Sequence, residues 1–250
     1  MSIEEKEDKL AAGEITERSR FSLWMENFWY HYKFQAIVVM AAIFIFAVCF
    51  VQCTQRETGD LTVSFAGPYV LEGDEREGVL DVLNAVAPRT EEGGERLSVI
   101  LSTYPIYNEE ELRALYTDPE TGICDESGYQ TAKGYNADRL KNFGSYLMTG
   151  ESAVLLVCPY VYEYQNVKEK LARPLSDLYG DNLPAASYDG YAIRLGDTEL
   201  YRYYPALQVL PADTLLVLTQ SYVWGASADE STYKDFEALF RALVDFKIPQ

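Results

Sequence analysis

One segment constrains this chain more than any other. From Phe34 to Gln55 no residue is charged, and from Ala36 to Val51 every residue is apolar. An α-helix rises about 1.5 Å per residue, so about 20 residues cross a hydrocarbon core of about 30 Å. Phe34–Cys53 has that length, and Gln35 and Gln52 bracket it. A run this long and this pure reads as a membrane span rather than as a helix of a soluble core, and residues 34–53 are expected to meet the lipid bilayer.

The flanks orient the span. Lys33, Arg20 and Arg18 precede it closely, whereas only Arg56 follows it closely. Lys and Arg favour the cytoplasmic side, and acidic residues weigh little, so the N-terminus is expected in the cytoplasm and the C-terminal part outside it. Trp24, Phe28, Trp29, Tyr30 and Tyr32 make an aromatic cluster suited to the headgroup layer. Phe21, Trp24, Met25, Phe28 and Trp29 share one helical face, so the helix is expected to begin near Phe21. A cleaved signal peptide fits poorly, because the stretch before the apolar run is long and no A-x-A site follows it. A lipoprotein is also weighed, because Cys49 and Cys53 end the run, but neither follows a small residue. The expected organisation is a cytoplasmic tail over 1–20, a juxtamembrane and transmembrane helix over 21–54, and an extracytoplasmic domain over 55–250.

Composition matters most for that domain. The whole chain carries net charge -18 with a pI near 4.4, and the domain holds the greater part of the excess acid. A nucleic-acid partner requires a basic face and is excluded. The single histidine of the chain is His31, ahead of the span. The domain therefore lacks the side chain of Ser-His-Asp and Cys-His catalysis and of histidine-based zinc sites. Its two cysteines, Cys124 and Cys158, are too few for a closed zinc site, and their pairing stays open. There is no P-loop and no G-x-G-x-x-G, so neither a cofactor nor an enzymatic activity is expected.

Periodicity gives the elements. Strands are expected over 61–66, 97–102, 153–157, 188–193 and 215–218. Helices are expected over 75–86, from Asn108 to Tyr116, from Asn136 to Gly150, from Tyr160 to Leu171, and from Asp229 to Phe246. Residues 118–134, rich in turn formers, read as a loop. Asp118-Pro-Glu-Thr-Gly-Ile-Cys-Asp-Glu126 offers oxygen ligands, but its glycine is misplaced for a calcium loop, and it reads as a solvated acidic turn. The alternation, with an all-apolar strand at 153–157, implies an α/β fold: a three-layer domain after the single membrane helix.

Open α/β sheets bind ligands beyond the carboxyl ends of their strands. Those ends carry Tyr69, Tyr104, Tyr107, Tyr160 and Tyr162, the candidate ligand-binding residues. Aromatic faces stack on sugars and other planar ligands, and an acidic surface suits a neutral or cationic solute. The alternative is that these tyrosines are half-buried packing residues.

The segment LMTGESAVLLVCPYVYEYQNVKEKLARPLSDL, with its helix, Gly150-Glu151 turn, strand, helix and PLSDL ending, resembles the pattern of bacterial extracellular solute-binding proteins of clostridial type. NFWYHYKFQAIVV likewise resembles the membrane approach of single-pass proteins of that group. The resemblance covers about a third of the chain. It implies a reduced periplasmic-binding-protein-like fold, without a residue-level ligand code. Three functions follow as expectations: a membrane-anchored extracytoplasmic binding module of unknown ligand; an interaction or scaffold subunit docking a protein partner of the cell envelope; and, least favoured, a carboxylate-based hydrolase.

Overall fold

The structure, a computed structural model, describes residues 20–54, 59–90 and 94–249. The chain divides into two compact units, Met1–Glu57 and Thr58–Gln250. Residues 1–19 of the expected tail, and Arg56 of the orientation argument, lie outside the described residues.

Among the described residues the first unit is one continuous helix, α1 (Arg20–Thr54). It contains a 23-residue apolar stretch, Phe28–Phe50, long enough to span a bilayer. Most apolar side chains of that stretch are exposed, Phe34, Phe44 and Phe46 among them. Trp24, Phe28 and Tyr32 stack in sequence at 5.5 and 5.4 Å, one helical turn apart each time. A single N-terminal apolar helix of this kind is compatible with a membrane or signal anchor.

The second unit is a mixed α/β domain on a five-stranded sheet: β1 (Leu61–Gly67), β2 (Val99–Pro105), β3 (Val154–Val157), β4 (Ala192–Arg194) and β5 (Leu215–Leu218), in the order β2-β1-β3-β5-β4. β2, β1 and β3 run parallel, and β5 is antiparallel to both β3 and β4. Side chains alternate across a strand, and here both faces are apolar. Val154 and Leu156 of β3 join one core with Leu61, Val63 and Phe65, while Leu155 and Val157 join a second core on the other face.

Helices α2 (Gly73–Val86) and α9 (Glu230–Val244) cover the first face, α9 burying Phe236, Leu239, Phe240 and Leu243 at helical spacing. Helices α4 (Glu126–Leu147) and α5 (Pro159–Tyr164) cover the second, through Leu140, Phe143, Leu147, Val161 and Tyr162. Between them in sequence lie the short helices α3 (Glu109–Leu115), α6 (Val167–Lys170), α7 (Ser176–Tyr179) and α8 (Glu199–Tyr203). The mixed α/β character is thus as expected, with a correction at the β4–β5 side, where the alternation gives way to antiparallel pairing.

Several boundaries differ from the sequence reading. Helix α4 starts at Glu126, not at Asn136, because Asp125 caps it by accepting from Gly128 N. That removes the expected loop over residues 126–134. Strand β2 continues to Pro105, since its parallel ladder with β1 runs on to the Gly67–Pro105 pair. The expected helix Tyr160–Leu171 is two helices, broken at Asn166, whose φ of 52° is a left-handed conformation that Asn tolerates better than most residues. The expected strand over 188–193 shrinks to Ala192–Arg194, because the Asp189 carboxylate instead takes Tyr191 N and Ala192 N in a turn.

Candidate functional site

A cleft of about 160 Å³ opens beyond the carboxyl ends of β2 and β3, lined by Tyr107, Glu109, Tyr129, Lys133, Asn136 and Tyr160 together with Leu112, Ala137, Leu140 and Tyr164. Its construction starts with local sequence. Asn108 caps α3 in a reciprocal box: its side chain accepts from Glu111 N at 2.8 Å, and Glu111 Oε2 accepts from Asn108 N at 2.8 Å. That fixes the first turn of α3 and the position of Glu109 within it.

One stripe of α4 makes the facing wall. Tyr129, Lys133, Asn136 and Leu140 recur at steps of four, three and four, so they point the same way. Asn136 pins this wall to the chain leaving β2. Its Oδ1 accepts from Tyr107 N at 3.0 Å, and its Nδ2 donates to Tyr107 O at 2.8 Å, so a side-chain amide replaces a strand neighbour. Tyr129 is fully buried and donates to Glu109 Oε1 at 3.0 Å. Arg113 lies 5.0 Å from its ring centroid and Lys133 5.8 Å, so two cations lie against one aromatic ring.

Lys133 also meets Glu109 at 2.6 Å. The hydrogen bond from Lys133 leads in holding the Glu109 carboxyl below its ordinary range, and the same bond raises Lys133. Both side chains are largely exposed, so this pair orients more than it stabilises.

The five tyrosines expected at the strand ends separate into distinct places. Tyr107 and Tyr160 meet in the cleft, and burial raises both hydroxyls above the usual phenol range. Tyr104 sits behind it in an aromatic trio, 4.9 Å from Phe143 and 5.3 Å from Tyr146, and burial pushes its hydroxyl up to about 12. Tyr162 is buried and donates to Asp189 Oδ2 at 3.0 Å, away from the cleft lining. Tyr69 packs against the core on the other face of the sheet and donates to Glu75 Oε1 at 2.8 Å.

Sequence reasoning missed Tyr129, Lys133, Glu109 and Asn136. The signal was present as the stripe of α4 and was hidden by reading its first half as a loop. Asp118, from the acidic turn, accepts from the backbone of Glu120 and Thr121, and no cluster of metal-ligating side chains occurs among the described residues. Cys124 and Cys158 are separate free thiols, and burial pushes Cys158 up to about 11. No family model matches the chain, and neither do curated proteins or solved structures.

Proposed function

We propose that this chain is a single-pass, membrane-anchored binding module, with its N-terminus cytoplasmic, its domain extracytoplasmic, and a small solute held in the cleft of Tyr107 and Tyr160. The observation that carries the reading is the cleft's balance of aromatic faces and charge. Its charged lining residues, Glu109 and Lys133, are bound to each other, and the Asn136 amide is bound to the Tyr107 backbone, which leaves the phenol rings of Tyr107, Tyr160 and Tyr164 as the groups that select. That set suits a neutral polyhydroxylated solute, with aromatic faces for stacking and polar groups at the rim. A cationic solute competes with Lys133 for Glu109. The volume, below the range of about 300–1,000 Å³ usual for drug-sized pockets, fits one sugar-sized unit. The role is binding rather than catalysis, supported by a site whose acid and base neutralise one another.

The test is a thermal-shift screen of the full chain in lipid nanodiscs against neutral sugars and small amines. Wild type is compared with Tyr160→Ala and with Tyr164→Ala, whose side chain stands 63% exposed and so leaves the core intact. Loss of a stacking platform costs about 1–3 kcal/mol, so the stabilising solute should bind Tyr160→Ala about tenfold more weakly. Absence of any stabilising solute, with a lower melting temperature for Tyr160→Ala alone, would favour the scaffold role instead.

A further inference from the structure

The opposite end of the sheet carries a different kind of surface. There β1 and β3 begin and β5 ends, because β1 and β3 are parallel and β5 is antiparallel to them. The segment after β5 turns outward and exposes Val223 at 83% and Trp224 at 74%. Trp is seldom this bare on a soluble surface.

The presentation is rigid. Gly150 and Gly225 both have left-handed φ, +70° and +76°, and lie backbone to backbone: a Cβ on Gly150 would overlap the Trp224 carbonyl, and one on Gly225 the Thr149 carbonyl. Ser227 N donates to Gly150 O at 2.9 Å, and half-buried Tyr222 anchors the other side of the tip against the second core. The loop is therefore held in a shape that keeps two apolar side chains in water.

The chain also enters the domain at this end. Gly59 and Asp60 precede β1, and Asp60 is fastened to the start of β2 by Ser98 N and Ser98 Oγ, at 2.8 and 2.9 Å. Only residues 55–58 separate Gly59 from the end of the apolar helix at Thr54. Five Cα steps reach at most about 18 Å.

We propose that Val223 and Trp224 are an interfacial anchor that seats this end of the domain on the lipid surface. Trp prefers the headgroup layer, where its ring is shielded and its N–H stays hydrated. The neighbouring charges choose the lipid. Asp60, Glu151, Asp229 and Asp235 all lie around this end, and Asp60 and Asp229 both add to the burial that raises Asp235. An anionic surface is repelled by that group, so the fitting partner is a zwitterionic phosphatidylcholine-like surface. The inference rests on reading α1 as a membrane anchor.

The experiment uses the full chain in nanodiscs, with Trp24→Phe and Trp29→Phe so that Trp224 is the single indole. Co-elution with the nanodisc tests the anchor first; a chain that stays outside the nanodisc overturns the anchor reading and this inference with it. Phosphatidylcholine brominated near the headgroup should then quench Trp224 emission at least about twofold, with reduced acrylamide quenching. Both effects should fall when half the lipid is anionic, and both should vanish in Val223→Asp. Full acrylamide access without bromolipid quenching would overturn the proposal. Shielding from acrylamide without bromolipid quenching would overturn it too, in favour of a protein partner or a second copy at the tip.

Discussion

Replacing Gly225 by alanine tests the rigid tip at its most constrained point. The φ of +76° lies where an L side chain is strained whatever the space around it, at a cost of about 1–3 kcal/mol. Space is also lacking. The new Cβ would lie 2.6 Å from the Gly150 carbonyl carbon and 2.9 Å from Glu151 N, besides overlapping the Thr149 carbonyl. These are backbone atoms, which cannot swing aside as a side chain can, and forced overpacking costs a further ~1–3 kcal/mol. The sum is about 2–6 kcal/mol, a large part of the ~5–15 kcal/mol that holds a typical domain folded. For a domain of this size each kcal/mol moves the midpoint by about 2–4 °C, so Gly225→Ala should melt at least about 4 °C lower. Circular dichroism of the full chain in nanodiscs reads this directly. Gly150→Ala should behave alike, and the double variant should lose less than the sum, since both substitutions break one backbone contact. A midpoint within 1 °C of wild type for Gly225→Ala would show that the two loops do not meet as described.

Two further outcomes follow from the same reasoning. Asn136→Ala leaves Tyr107 N and Tyr107 O without their amide partner and should cost about 1–3 kcal/mol in urea unfolding; Asn136→Asp, which still accepts but no longer donates, should fall between alanine and wild type, and equal losses for both would argue against the two-point pairing. Asp229 caps α9 and is held down to about 2, first by the Ser231 hydroxyl and then by Thr232 N. Its pKa is depressed in the fold, so its contribution is complete above the ordinary carboxylate range near 4 and is lost as pH falls towards 2. The gap in melting temperature between wild type and Asp229→Ala should therefore be widest near pH 6 and close by about pH 2, and a gap that is flat in pH would refute the capping role.

What the sequence discloses depends on whether a residue's neighbours lie near it in the chain. Strands β3 and β5 are legible because both of their faces are buried, so VLLV and LLVL read as unbroken apolar runs. Helix α9 is legible because its apolar residues keep one face, and Asn108 because a capping box is complete within four residues. The start of α4 is obscure for the opposite reason. Its first three turns bury only Tyr129, and Gly128 and Gly134 mimic a loop. The cleft inherits that blindness, since Glu109 meets Tyr129 and Lys133 across 20 and 24 residues of sequence. Topology could place Tyr107 and Tyr160 at strand ends, but it could not tell them from Tyr69 and Tyr162, whose hydroxyls are taken up by nearby carboxylates.

Helix α9 has a consequence for how the polypeptide is made. It packs on α2, β1, β3 and β5, with Phe236, Leu239, Phe240 and Leu243 closing one face of the sheet, yet it follows all of those elements in the sequence. Strand β1 likewise emerges long before its partner β3. Such non-local pairing is slow, and here the sheet face closes only once α9 is present. A polypeptide that lacks residues 230–244 therefore displays an uncovered apolar sheet face, the surface that chaperones and proteases recognise.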